Sequence, residues 1–146
     1  MKHVTIIVPD CQVNLNSISG AYEILSSANT YWQRQGNRSL LDICIAGFVT
    51  KSQVDDGYFT IHPADLATIR KSDLLIIPSI FEDYAQAIAK NEKLIDWIAA
   101  RYKGGAEVAS MCSGAFLLAA TGLLEGKSCS THWNAAEQFR QMFPGV

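Results

Sequence analysis

One cysteine in this sequence sits where a cysteine can act as a nucleophile. In Glu107-Val108-Ala109-Ser110-Met111-Cys112-Ser113-Gly114-Ala115-Phe116-Leu117-Leu118 a strand-like run passes into an apolar helical run, with Cys112 at the junction. Ser110 and Gly114, both small, stand two residues before and two after it. That is the small-x-nucleophile-x-small spacing of a nucleophile elbow. Such a sharp strand-to-helix turn lifts its side chain clear of the sheet and needs small neighbours two positions away. A thiol placed there faces the unpaired N–H groups of a helix start, which favour thiolate. The same residue can instead be a small packing hydrophobe at a strand end. Spacing alone leaves both readings open.

His132, in Ser130-Thr131-His132-Trp133, follows Cys112 by 20 positions. If residues 127–130 form a strand, His132 reaches the same sheet edge as Cys112, and a Cys–His pair becomes possible. The alternative is a histidine that caps a helix or packs beside Trp133. Asp10 and Ser17 flank the first strand–helix loop, which opens at that same edge. Ser17 either faces the site or caps the helix after the loop. The turn Pro78-Ser79-Ile80 could lend a backbone N–H to an oxyanion, as any turn after a strand could. His3 and His62 read as edge or loop residues. Trp32, Trp97 and Trp133 are spread along the chain and read as packing rather than as a stacking platform for bases.

The elements that must position these residues follow from the hydrophobic pattern. Residues 4–8 are a β-branched run typical of a buried strand. Residues 16–29 read as a helix with Ile18, Tyr22, Leu25 and Ala28 on one face and Asn16 or Ser17 at its cap. Residues 30–40 are polar around Gly36 and read as a surface connection. Strands are expected at 41–48 and 58–61, with a turn at 55–57 between them. Residues 73–78 form another apolar run stopped by proline. Helices are expected at 82–90 and 91–102. The second has a cap at Asn91, an apolar face of Leu94, Ile95, Ile98 and Tyr102, and a stop at Gly104-Gly105. A strand at 107–110, a helix at 113–121 closed by Gly122, a short strand at 127–130 and a last helix to Phe143 complete the order. Asn134 with Glu137 resembles a capping box for that last helix. Alternating apolar strands and helices imply a mostly parallel sheet covered on both faces.

Length and composition bound the rest. The 146 residues suggest one domain, 1–146, with a sizeable core. A net charge of −2 supplies no basic field for nucleic acid or anionic membrane. The apolar start is short and ends at Pro9-Asp10, unlike a secretory signal, and no run approaches the ~20 apolar residues of a membrane span. Cys11, Cys44, Cys112 and Cys129 form no C-x-x-C pair. They read as free thiols of a reducing, cytoplasmic compartment, with neither a disulfide framework nor a metal site, and no cofactor is expected.

Longer stretches carry a family resemblance. Ala109-Ser110-Met111-Cys112-Ser113-Gly114-Ala115-Phe116-Leu117-Leu118-Ala119, then Gly122-Leu123-Leu124-Glu125-Gly126-Lys127, Ser130-Thr131-His132-Trp133 and Phe143-Pro144-Gly145-Val146 resemble one domain type. It is the ThiJ/PfpI-like (class I glutamine amidotransferase-like) domain at the N-terminus of one branch of AraC-type transcription regulators. Val8-Pro9, Gly20-Ala21-Tyr22-Glu23-Ile24 and residues 73–78 fit as well. The resemblance implies a flavodoxin-like three-layer α/β sandwich, often dimeric, joined in the regulators to C-terminal helix-turn-helix motifs. In enzymes of the superfamily the elbow Cys works with a His and an acidic residue, and isonitrile hydratases share the Thr-His-Trp region.

Three departures bear on function. Ser17 aligns where enzyme-like relatives often carry Asp, and a serine cannot serve as a carboxylate base. Ser113 follows Cys112 where the protease-like branch has His. The sequence stops at Val146 where the family domain usually adds a strand and a helix, so a C-terminally truncated sandwich without its DNA-binding helices is expected. The resulting expectation is a ligand-sensing regulatory domain. Ser17, Ser79, Cys112, Ser113 and His132 would line a small-molecule site, in a homodimer that meets DNA only through an absent C-terminal domain. The alternative is a Cys-dependent hydratase, amidase or glyoxalase-like enzyme with Cys112 and His132 as its catalytic pair. A purely structural dimerisation module is a third.

Overall fold

The computed structural model describes residues 1–146, the side chain of Asp55 excepted. A five-stranded sheet runs in the order β5-β2-β1-β6-β7 with every pairing parallel. The strands are β1 (Lys2–Val8), β2 (Leu41–Gly47), β5 (Ala64–Asp65), β6 (Leu74–Ile77) and β7 (Glu107–Ser110). An antiparallel hairpin of β3 (Ser52–Val54) and β4 (Phe59–Ile61) stands apart from it. β1 is central, and both of its faces are covered: Val4, Ile6 and Val8 on one side, Thr5 and Ile7 on the other, are all buried. Two covered faces explain why β1 and β6 read as near-continuous apolar runs rather than alternating ones.

The helices are α1 (Leu15–Arg34), α2 (Tyr84–Lys90), α3 (Glu92–Lys103), α4 (Ala115–Ala120) and α5 (Ala136–Met142). Right-handed crossovers that leave β1 and β6 in opposite directions along the sheet place α1 on one face and α2–α4 on the other. The flavodoxin-like three-layer α/β sandwich is therefore present. Ile6, Ile77, Ile98 and Leu117 belong to its main core, while Phe116 and Phe139 anchor a smaller cluster beneath α5.

Several local expectations are corrected. α1 runs on through residues 30–34, and Asn29 is a clamp inside it rather than its end. Its side chain donates to the Leu41 carbonyl at 2.7 Å and accepts from the Leu40 and Leu41 N–H groups, tying α1 to β2. The cap is Asn14, which accepts from Asn16 N–H, rather than Asn16 or Ser17. Asn91 makes no side-chain cap; its amide is buried and spent elsewhere. α2 starts at Tyr84 behind the cap Asp83. Tyr102 lies on the exposed side of α3. Residues 127–130 form no strand: Gly126 gives its N–H to the Gly145 carbonyl, and the stretch that follows is exposed coil with little apolar surface to bury. The short strands β3 and β5 carry no pattern long enough to read from sequence. Among the described residues no helix is long and apolar enough to cross a membrane.

Candidate functional site

β7 delivers Cys112 to the C-terminal edge of the sheet. Met111 N–H bonds the Ile77 carbonyl, and the chain then turns directly into a short 3-10 helix, Cys112–Gly114, that continues as α4. Cys112 holds φ +52°, a left-handed conformation that costs a non-glycine residue about 1–2 kcal/mol. The small residue two positions on has a direct cause. A Cβ on Gly114 would lie 2.4 Å from the Pro78 carbonyl oxygen and 2.8 Å from that of Ile77. Only glycine lets α4 start this close to the end of β6. The thiol itself is exposed.

The serines expected around the site are brought together, and they face one another. Ser113 Oγ donates to the Ile80 carbonyl at 2.7 Å and accepts from Ile80 N–H at 3.0 Å. With its one proton so used, it accepts from the Ser79 hydroxyl at 2.9 Å. Ser17 Oγ donates to the Asn14 carbonyl and accepts from Ser79 N–H at 3.1 Å. Ser17, Ser79 and Ser113 are 8%, 5% and 3% exposed, so these hydroxyls staple three loops rather than present donors to a ligand. The N–H groups of Ser79 and Ile80 are consumed by the same network, which leaves neither for an oxyanion.

His132 is exposed and caps the turn that leads into α5: its Nδ1 accepts the Asn134 N–H at 3.2 Å. The expected Asn134–Glu137 capping box is therefore replaced by a histidine cap. Among the described residues no hydrogen bond joins His132 to Cys112. The link between the two segments is Thr131, whose hydroxyl donates to the Cys112 carbonyl at 3.3 Å. Trp133 stacks obliquely beside His132, with 5.6 Å between ring centroids, and is 82% exposed. Trp32 is likewise exposed, so neither is the packing residue expected.

One neighbour of Cys112 was not singled out in the sequence. Tyr84 stacks flat on Phe116, with centroids 3.6 Å apart. Burial, and then the charge of Cys112, push its phenol above the ordinary value. Asn91, 3% exposed, holds the β1–α1 loop: its Oδ1 accepts Asp10 N–H at 2.8 Å, while its Nδ2 donates to the Asp10 and Ala87 carbonyls. An aromatic next to a helix boundary carries no spacing that marks it in advance. The other thiols sit in less reactive surroundings. Cys11 is pushed up to about 12, by burial first and then by Glu82 and Asp10. Cys44 is raised by burial and Asp42, and Cys129 by burial.

A cysteine at positive φ between a parallel strand and a helix, at the carboxyl edge of a three-layer sandwich, stands in a protein of the α/β class with a parallel central sheet. Within that class, the DJ-1/PfpI family model matches residues 33–142, and the chain belongs to the DJ-1/PfpI family. The chain is 29% identical over 79 residues to the HTH-type transcriptional regulator CdhR of Pseudomonas aeruginosa, a match covering 54% of this chain and 23% of that protein. It thus matches about a quarter of that relative's length. A crystal structure of a putative transcriptional regulator protein from Vibrio parahaemolyticus superposes with a TM-score of 0.84 at 23% identity. That match covers 99% of this chain and 74% of the other. An AraC family transcriptional regulator from Pseudomonas putida superposes with a TM-score of 0.75 at 18% identity, over 99% and 74% of the two chains.

Proposed function

We propose that this chain is the ligand-sensing domain of an AraC-type transcription regulator, in which Cys112 marks the site by position and does not turn over substrate. The observation that carries this reading is the state of His132. Its Nδ1 must be unprotonated to accept the Asn134 N–H, so the neutral ring carries its proton on Nε2. A ring in that tautomer carries a donor at Nε2, not the lone pair that a base for the Cys112 thiol needs. Ser17, where an enzyme would place a carboxylate, has its hydroxyl buried and already engaged on both sides. The likeness to regulators supports the same reading.

Residues 1–146 form one domain in this reading, which works in the cytoplasm as a homodimer. Sequence-selective DNA binding belongs to a further C-terminal domain, because a chain of net charge −2 offers no basic stripe of its own. The deciding assay compares wild type with Cys112→Ala for release of ammonia from glutamine, isonitrile hydration and glyoxalase turnover. Equal, background rates are expected. Turnover above background that Cys112→Ala abolishes overturns the sensor reading in favour of an enzyme.

A further inference from the structure

The carboxyl edge of the sheet carries a concave surface that Cys112 does not line. A cleft of about 460 Å³ opens between the loop after β1, the start of the β3–β4 hairpin and the loop after β6. Its walls include Asp10, Gln12, Lys51, Phe81, Glu82 and Lys90. A neighbouring hollow of about 470 Å³ beneath the hairpin shares Gln12, Gln53 and Phe81 with it. The location is physically apt. The direction in which strands are added reverses at β1, with β2 on one side and β6 on the other, and open parallel sheets bind ligands at such a switch point outside the strand ends. The volume falls within the roughly 300–1,000 Å³ of small-molecule sites.

The cleft is preorganised. Asn91 holds the backbone of Asp10 from beneath, on both its N–H and its carbonyl. Phe81 N–H donates to the Gln12 carbonyl at 2.9 Å, lacing the two loops together, while the Phe81 side chain stands 63% exposed at the rim. Both Glu82 oxygens are committed, one to Lys90 and the other to Gln12 N–H. Lys90 spends one of its three donors on Glu82, and Lys51 brings three more to the same wall. Lys90 and Glu82 offset one another, so the charges left on the wall are Lys51 and Asp10. The second carboxylate, Asp10, disfavours a multiply charged anion such as a phosphate ester.

We propose that this cleft binds a small organic monocarboxylate with a planar body, its carboxylate between Lys51 and Lys90 and its body against Phe81. The site deepens, and rests on, the sensor reading. It also has a route to the elbow. Phe81 follows Ile80, whose N–H and carbonyl both end on Ser113 Oγ, and Ser113 adjoins Cys112. A ligand that moves Phe81 therefore moves the elbow.

The test is calorimetric titration of the full chain with benzoate, benzamide and benzylamine at constant ionic strength. Benzoate should bind one per chain and at least tenfold tighter than the neutral and cationic analogues. Lys51→Met should weaken it at least tenfold with an unchanged melting temperature, and Phe81→Ala should weaken all three probes. Saturating benzoate should change the alkylation rate of Cys112 at least twofold in wild type and leave it unchanged in Lys51→Met. No benzoate binding, equal binding of benzylamine or benzamide, or binding indifferent to Lys51→Met overturns the proposed site. A Cys112 rate that ignores bound benzoate overturns the coupling. These failures are distinct from failure of the sensor reading, which is read from Cys112-dependent turnover.

Discussion

The four thiols should separate cleanly in reactivity, and Cys11 carries the sharpest number. Its pKa rises from 9.0 to about 12, chiefly because burial withholds solvent from the thiolate, with Glu82 and Asp10 adding repulsion and Lys90 opposing them. At pH 8 a three-unit rise cuts the thiolate fraction roughly a thousandfold. The more basic thiolate is the better nucleophile, which at a Brønsted slope of about 0.4–0.5 returns roughly twentyfold. Native Cys11 should therefore alkylate roughly fiftyfold more slowly than an ordinary cysteine, before restricted access slows it further. Glu82→Gln removes the second cause and keeps an acceptor for Gln12 N–H. Because burial leads, it should speed Cys11 by less than tenfold. The assay is timed iodoacetamide labelling from pH 6.5 to 9.5 with peptide mapping. Cys112, exposed at the elbow, should label first, ahead of Cys129 and Cys44, whose thiols are raised by burial. Labelling of native Cys11 within tenfold of Cys129 at pH 8 would refute the burial argument, and Cys11 ahead of Cys112 would refute the elbow reading.

Other expectations follow from the same geometry. Gly114→Ala drives a Cβ into two backbone carbonyls and should lower stability by about 1–3 kcal/mol, measured by urea denaturation; an unchanged midpoint would mean α4 can shift away from β6. Ser113→Ala leaves Ile80 N–H, the Ile80 carbonyl and the Ser79 hydroxyl without their partner and should cost about 1–3 kcal/mol, whereas a ligand-facing serine would cost nothing. The Asp73 carboxyl is held below the ordinary value, first by His3 N–H and then by Lys71 and Lys2. Its stabilisation is thus present above the unfolded carboxylate value and lost as pH falls through the lower folded one. Asp73→Asn should accordingly flatten the acid limb of a stability–pH profile, and an unaltered limb would remove Asp73 from the explanation.

Much of the fold was legible because burial on both faces leaves a strong signal. Residues 4–8 and 73–78 are largely apolar runs suited to a covered parallel sheet, and each became a strand within a residue or two of its expected ends. Elements stabilised by a few distant contacts were not legible. The extension of α1 depends on Asn29 gripping β2, and nothing near residues 30–34 announces it. Residues 127–130 have a strand-like reading but find no partner, and pairing is a property of the neighbour rather than of the segment.

The strand-to-helix turn at Cys112 was determined by local sequence. Cys112 with Ser110 and Gly114 encodes a turn whose sterics act within five residues, apart from the carbonyls of Ile77 and Pro78 that Gly114 must clear. What surrounds the elbow was decided by tertiary structure alone. Ser17, Ser79 and Ser113 are 62 and 34 positions apart, and only the folded loops show their hydroxyls turned inward onto one another. His132 likewise could have been a partner for the thiol. Its ring nitrogen is instead taken by an N–H two residues away, because an unsatisfied helix start is a nearer and surer donor to that lone pair than a thiol across the turn.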